Sequence, residues 1–215
     1  MKYALNQIIH ADCMDVMKDI PDKYFELAIV DPPYGIADNP SRHGGSGAGK
    51  LKNRILNKSA KKFKGWDISP TKEYFVELKR VSVNQLIWGG NYFKLGRTRG
   101  FAVWDKEQPF KNFSGCEFAW SSFDCPSKIF RHPATKTDNG KFHPTQKPVA
   151  LYKWLLQNYA KPGDKILDTH AGSCSSVIAC IDRGFEYLAI EKDKDYYDAS
   201  LERKEKELIK IKMFA

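Results

Sequence analysis

Asp31, Pro32, Pro33, Tyr34 and Gly35 follow one another directly after the apolar run Phe25–Val30. Two consecutive prolines fix φ and remove two N–H donors, so this turn faces an incoming group with its carbonyls and the Asp31 carboxylate, all acceptors. Such a surface suits a target that donates hydrogen bonds, for instance an exocyclic amine, and Tyr34 adds a ring face on which a planar base can stack. The same residues also make a rigid strand-to-loop turn in a protein of any function.

A second group lies at Ile166-Leu167-Asp168-Thr169-His170-Ala171-Gly172-Ser173, an apolar run entering a small-residue turn before a helical pattern. Gly172 permits close backbone approach, and the following helix offers free N–H groups. The next apolar run ends in Glu191, at the position where such folds commonly hold ribose hydroxyls with a carboxylate. A nucleoside cofactor is the expectation. The dinucleotide fingerprint is absent, and Cys174 stands where a second glycine is expected.

The elements that must carry these groups are legible as short β-like runs closed by turn residues: Asn6–His10, Phe25–Val30, Gln85–Gly89, Gly100–Trp104, Glu117–Ser122, Lys165–Asp168 and Glu186–Glu191. Helical patterns at Ser69–Val81, Pro148–Ala160, Ser173–Arg183 and Lys194–Ile211 alternate with them, as in a doubly wound α/β sheet. Gly100–Trp104 and Glu117–Ser122 are too close for a crossover helix and predict an antiparallel hairpin at one sheet edge. The reading is a mostly parallel seven-stranded sheet in one domain spanning 1–215. Ala37–Gly65 and Asp124–Phe142 lack periodicity and read as loops or inserts.

The chain has 215 residues with 35 Lys and Arg against 26 Asp and Glu, a net charge of +9, which makes a polyanionic partner plausible. The excess is local: Arg42, Lys50, Lys52, Arg54, Lys58, Lys61, Lys62 and Lys64 occur with no acidic residue between Ser41 and Lys64. Following the Asp31 turn, this stretch is expected to contact a nucleic-acid backbone, against the alternative of a solubilising loop. No apolar run approaches the ~18 residues of a membrane span, and the N-terminal apolar stretch is too short for a signal peptide. Five cysteines without a CxxC pair give neither a disulfide framework nor a zinc site, and His10, His132 and His170 lack ligand spacing, so no metal is expected.

These two sites, with His143-Pro144-Thr145-Gln146-Lys147-Pro148 before a helix, resemble the β group of amino-methylating DNA methyltransferases over nearly the whole chain. The resemblance implies a Rossmann-like S-adenosylmethionine methyltransferase fold and double-stranded DNA as partner, and the scattered cysteines, read as reduced thiols, imply a cytoplasmic protein. It implies catalysis by Asp31, Pro32, Pro33 and Tyr34 on a base flipped out of the duplex. It implies S-adenosylmethionine held by Asp12, Cys13, Asp31, His143, Thr145, Lys147, Asp168, Ala171, Gly172, Ser173 and Glu191. Leu86–Phe93 resembles a strand and turn that shape the base pocket, although buried aromatics there also read as core. Thr169, His170, Cys174, Ser175 and Ser176 depart from the family's usual cofactor turn. Asp31, where N4-cytosine enzymes often carry Ser, favours N6-adenine; N4-cytosine, an RNA or protein-amide target and a silent nucleic-acid-binding relative compete with it. Cysteine-dependent carbon-5 methylation is disfavoured, since Cys125-Pro126 stands in the reverse order. A homodimer, a cognate restriction endonuclease, and a phage-borne or orphan origin are left open.

Overall fold

A computed structural model describes residues 2–36, 67–108, 114–134 and 146–214. Its strands are β1 Gln7–His10, β2 Phe25–Val30, β3 Ser82–Trp88, β4 Phe101–Asp105, β5 Cys116–Ser121, β6 Lys128–Arg131, β7 Lys165–Asp168 and β8 Glu186–Glu191. Its helices are α1 Cys13–Met17, α2 Lys72–Val81, α3 Val149–Tyr159, α4 Ser175–Arg183 and α5 Lys194–Phe214. One sheet results, in the order β1-β8-β7-β2-β3-β5-β4-β6, in which β5 alone runs against its neighbours.

Alternation along the central strands explains why both faces are covered. Leu27, Ile29, Leu86, Trp88, Ile166, Tyr187 and Ala189 pack with α3 and α4 on one face. Ala28, Val30, Ile87, Leu167, Leu188 and Ile190 pack with α1 and α2 on the other. Period-two side chains with both phases apolar are what a parallel sheet between helix layers requires. Each fully buried Leu or Ile contributes roughly 1.5–3 kcal/mol by area. In α2 the buried residues Tyr74, Leu78 and Val81 recur at helical spacing. Arg80 on the same helix donates to the carbonyls of Met17 (2.7 Å) and Ile20 (2.8 Å). It thereby satisfies carbonyls at the end of α1 and fixes that helix to α2.

Two expectations are corrected. The sheet has eight described strands, because Lys128–Arg131, inside the stretch read as an insert, pairs in parallel with β4. The β4–β5 hairpin forms as expected, but β5 lies inside, against β3, and β6 is the edge. The chain leaving β5 must therefore cross the start of β4 to reach its far side. Gly100 makes that crossing fit, since a Cβ there would lie 2.4 Å from the Cys125 carbonyl oxygen.

The order also fixes where a ligand can enter. From β2 the chain proceeds to β3 on one side and later returns as β7 on the other. This reversal opens a crevice beyond the carboxyl ends of β2 and β7, which end at Val30 and Asp168.

Candidate active site

A cavity of about 560 Å³ occupies that crevice. Its walls include Asp12 and Cys13 after β1, Asp31 and Pro33 after β2, Thr169–Ser173 after β7, and Glu191 at the end of β8. Lys147 and Tyr152 close it from the start of α3. Eight residues expected around the cofactor (Asp12, Cys13, Asp31, Lys147, Ala171, Gly172, Ser173 and Glu191) are thus brought together from five sequence regions. Ile68, Ser69, Pro70, Thr71, Tyr74 and Tyr196 also line it without having been singled out by motif. His143, Thr145 and the basic residues Arg42, Lys50, Lys52, Arg54, Lys58, Lys61, Lys62 and Lys64 lie outside the described residues.

Local bonds hold the acceptors in place. Asp12 caps α1 by accepting from the Met14 N–H (2.9 Å) and pairs with Lys192 (2.8 Å), which holds its carboxyl below the ordinary range. Glu191 accepts from the N–H groups of Gly172 and Asp193, both at 2.8 Å, one on each oxygen. Burial nevertheless pushes its carboxyl up. Each oxygen keeps a lone pair for a ligand hydroxyl.

Asp168 is not part of the cavity lining. It lies 5% exposed behind the turn, where its carboxylate accepts from the Ser176 hydroxyl and from the His170 N–H (3.0 Å). Burial raises its carboxyl to about 7 in spite of those bonds. Its position in the fold is therefore that of a brace for the turn. Next to it, Thr169 Oγ1 lies 2.6 Å from the Tyr74 hydroxyl and 2.9 Å from His170 Nδ1, and burial lowers His170 to about 4. Of the residues that depart from the family turn, Thr169 is thus bonded to α2, and His170 is bonded to Thr169. Cys174 adopts φ 67°, ψ 20° with its side chain fully buried, so the backbone there keeps the left-handed shape that glycine adopts most readily.

Of the predicted catalytic residues, Pro32 and Tyr34 are not part of the cavity lining; Tyr34 donates its hydroxyl to Asp31 Oδ1 (2.7 Å), and Asp31 is in the wall. Burial and the Asp31 charge hold that phenol far above its ordinary pKa, so it remains a donor. Tyr92 stacks on the Tyr34 ring at 5.0 Å and 21°, and Phe93 meets it edge-on at 6.1 Å. One face of Tyr34 is therefore covered by the Gly89–Phe93 turn. The Asp67 carboxylate accepts from the N–H groups of Gly35 (3.0 Å) and Ile36 (2.8 Å), which locks the end of the Asp-Pro-Pro-Tyr turn to the cavity wall that begins at Ile68.

Lys147, 3% exposed, places Nζ 2.5 Å from Asp31 Oδ2, 3.1 Å from Glu117 Oε2 and 3.4 Å from the Tyr34 hydroxyl. Burial alone would discharge it, but the two carboxylates outweigh burial and raise its pKa. Glu117 also pairs with Lys106; burial pushes its carboxyl up, and the two lysines overcome this and hold it at about 2. Two carboxylates and two ammonium groups balance, as burial of charge demands. Motif reading missed Glu117. Its one sequence signal is a charge in phase with Ala119 and Ser121, the buried face of β5.

The family model described as DNA methylase, for N6/N4 methyltransferases, matches residues 54–202. The chain belongs to this family. It is a DNA methyltransferase of the adenine-N6 or cytosine-N4 kind, and S-adenosylmethionine is the family's methyl donor. The Type II methyltransferase M.HinfI of Haemophilus influenzae is 26% identical over 257 residues, covering 93% of this chain and 68% of its own. The putative methylase YubD of Escherichia coli (strain K12) is 25% identical over 218 residues, covering 93% and 90%. Among solved structures, the M1.HpyAVI–SAM complex superposes with TM-score 0.57 at 19% identity, covering 92% of this chain and 98% of its own. The cytosine-N4-specific PvuII DNA methyltransferase gives TM-score 0.60 at 12% identity, covering 92% and 86%. These likenesses show the shared fold.

The cavity fits the family's donor. Its volume lies within the ~300–1,000 Å³ of small-molecule sites, with carboxylates Asp12 and Glu191 among its walls and Pro33, Ile68, Pro70 and Tyr152 as flat or apolar surface. Among the described residues no helix is long and apolar enough to cross a membrane, and no three His, Cys, Asp or Glu side chains are grouped to hold a metal.

Proposed function

We propose that this chain is a single cytoplasmic methyltransferase domain that methylates the N6 amine of an adenine flipped out of double-stranded DNA. The observation that carries this reading is the carboxylate of Asp31 ahead of Pro32-Pro33-Tyr34, set at the cavity wall and bonded by Tyr34 and Lys147. A base inside a duplex cannot reach a crevice at the end of a sheet, so the target nucleotide must leave the stack.

Asp31 and the Pro32 carbonyl accept the two N–H bonds of the target amine, which draws the nitrogen lone pair out of ring conjugation. Tyr34 keeps its donor hydroxyl on Asp31 and stacks its ring on the target base. Asp12 and Glu191 hold the nucleoside end of S-adenosylmethionine, the backbone at Ala171–Ser173 receives it closely, and Lys147 closes the opposite end with Asp31. Bound there, S-adenosylmethionine supplies an electrophilic methyl group. Positioning and fixed charges carry the rate, with no covalent bond to a side chain.

Adenine is favoured over cytosine because a charged carboxylate is a stronger acceptor than the Ser hydroxyl that often opens the motif in N4-cytosine enzymes. The basic residues of 42–64 follow the catalytic turn and neutralise DNA phosphates, and the segments 37–65 and 124–142 supply target recognition. Incubation with labelled S-adenosylmethionine and duplex DNA, followed by nucleoside mass spectrometry, is expected to yield N6-methyladenine. N4-methylcytosine alone would overturn the choice of base, and no labelled nucleoside would overturn the activity.

A further inference from the structure

Asp31 does not stand alone at the cavity wall. Its Oδ2 meets the Lys147 ammonium, which reaches back to Glu117 on β5, and Glu117 in turn holds Lys106 just beyond β4. Lys147 donates to Asp31 Oδ2 and to the Tyr34 hydroxyl, and its charge lies 3.1 Å from Glu117 Oε2 in an ion pair. The charge faces the Trp88 ring at 5.1 Å. Glu117 thus draws the ammonium by charge from the side of β5.

It also divides that charge. With Glu117 ionised, Lys147 is shared between two carboxylates, and Asp31 keeps acceptor strength for a substrate amine. With Glu117 neutral, Lys106 loses its counter-charge and Asp31 is the one carboxylate left to Lys147, which competes with the substrate for its lone pairs. Buried charges at such distances interact strongly because little water screens them.

We infer that Glu117 is a positioning residue for methyl transfer, setting the orientation and acceptor strength of Asp31 through Lys147, with Lys106 as its counter-charge. The inference rests on the reading of Asp31 as the acceptor of the target amine. It involves no contact of Glu117 with the cofactor, and Glu117 is not part of the cavity lining.

The test compares Glu117→Gln with wild type and with the double variant Glu117→Gln/Lys106→Gln. Gln keeps the shape and an acceptor for Lys147 but removes the charge; the double variant restores charge balance. At saturating DNA and S-adenosylmethionine, kcat of Glu117→Gln is expected to fall on the order of tenfold to hundredfold, the scale of a small displacement at a reacting centre. Calorimetric S-adenosylmethionine affinity stays at the wild-type value, and kcat rises again in the double variant. A structural role alone would leave the double variant worse than the single. Wild-type kcat in Glu117→Gln, cofactor affinity lost in step with kcat/KM, or a double variant below the single would each overturn the inference. Should Glu117→Gln not fold, Glu117→Asp, which withdraws the carboxylate by one methylene, replaces it: lowered kcat at unchanged cofactor affinity supports the inference and wild-type kcat overturns it. Asp31→Ala is run alongside. If that variant turns over normally, the reading of Asp31 fails; if it is inactive while Glu117→Gln is normal, only the role of Glu117 fails.

Discussion

Gly89→Ala tests whether the position of Tyr34 matters to the reaction, using a residue outside the cavity lining. Gly89 follows β3 with φ +70°, and a Cβ built on it would lie 2.3, 2.5 and 2.8 Å from three carbons of the Tyr34 ring. Ordinary contact for such atoms is 3.4–4 Å, so ring and turn must part by about an ångström, the scale at which misplacement costs on the order of 100-fold in rate. The ring has little freedom to withdraw, with Tyr92 stacked on it, Phe93 at its edge and its hydroxyl on Asp31. The left-handed backbone costs alanine about 1–2 kcal/mol and overpacking adds about 1–3 kcal/mol. Together they lower the melting temperature by on the order of 10 °C in a chain of this size. Initial rates of methyl transfer, measured well below that transition, should fall on the order of 100-fold. S-adenosylmethionine affinity by calorimetry should not change. A folded variant with wild-type turnover would refute the requirement for Tyr34 at its present position.

Three further outcomes are expected. Glu191→Ala removes the acceptor of both the Gly172 and Asp193 N–H groups as well as a ligand for the cofactor, so S-adenosylmethionine affinity should drop about tenfold to hundredfold, or roughly 1.5–3 kcal/mol; unchanged affinity would move the cofactor elsewhere. Asp168, raised to about 7 in the fold, contributes stability that is lost as pH rises toward 7, whereas His170, lowered from 6.5 to about 4, contributes stability that is lost as pH falls through that range. The slopes oppose each other between pH 4 and 6.5, so Asp168→Asn should leave the His170 slope exposed, with urea midpoints falling more steeply than wild type on acidification; parallel pH profiles would contradict this. At Cys174, in the left-handed region, Cys174→Gly should be more stable than Cys174→Ala by about 1 kcal/mol in urea unfolding, the reverse of the usual order; an alanine variant of equal or greater stability would show that no strain resides there.

The sequence by itself determined the kind of element at most positions and the chemistry at the strand ends. Apolar runs such as Phe25–Val30 and Lys165–Asp168 are bounded by turn residues, and their spacing from helical patterns dictates a parallel sheet. In such a sheet Asp31, the turn after Asp168 and Glu191 must emerge at the same edge. These are local signals, since periodicity and turn chemistry act within a few residues. Sheet order is different, because it is decided by which surfaces bury best against one another. The strand β6 has four residues and pairs with the far side of β4, which the chain reaches from β5 only by crossing β4, neither of which local pattern encodes. The same holds for Lys147, whose motif suggested a place beside the cofactor but not its partners. Its ammonium reaches Asp31, 116 residues away, and Glu117 only because β5 is paired between β3 and β4. Thr169 and His170 likewise read as departures from a motif until Tyr74, on a helix 95 residues earlier in the chain than Thr169, supplied a hydroxyl for Thr169 and a ring for His170 to meet edge-on. Buried polar groups must find partners wherever the fold brings them, and that long-range matching is what tertiary structure alone decided here.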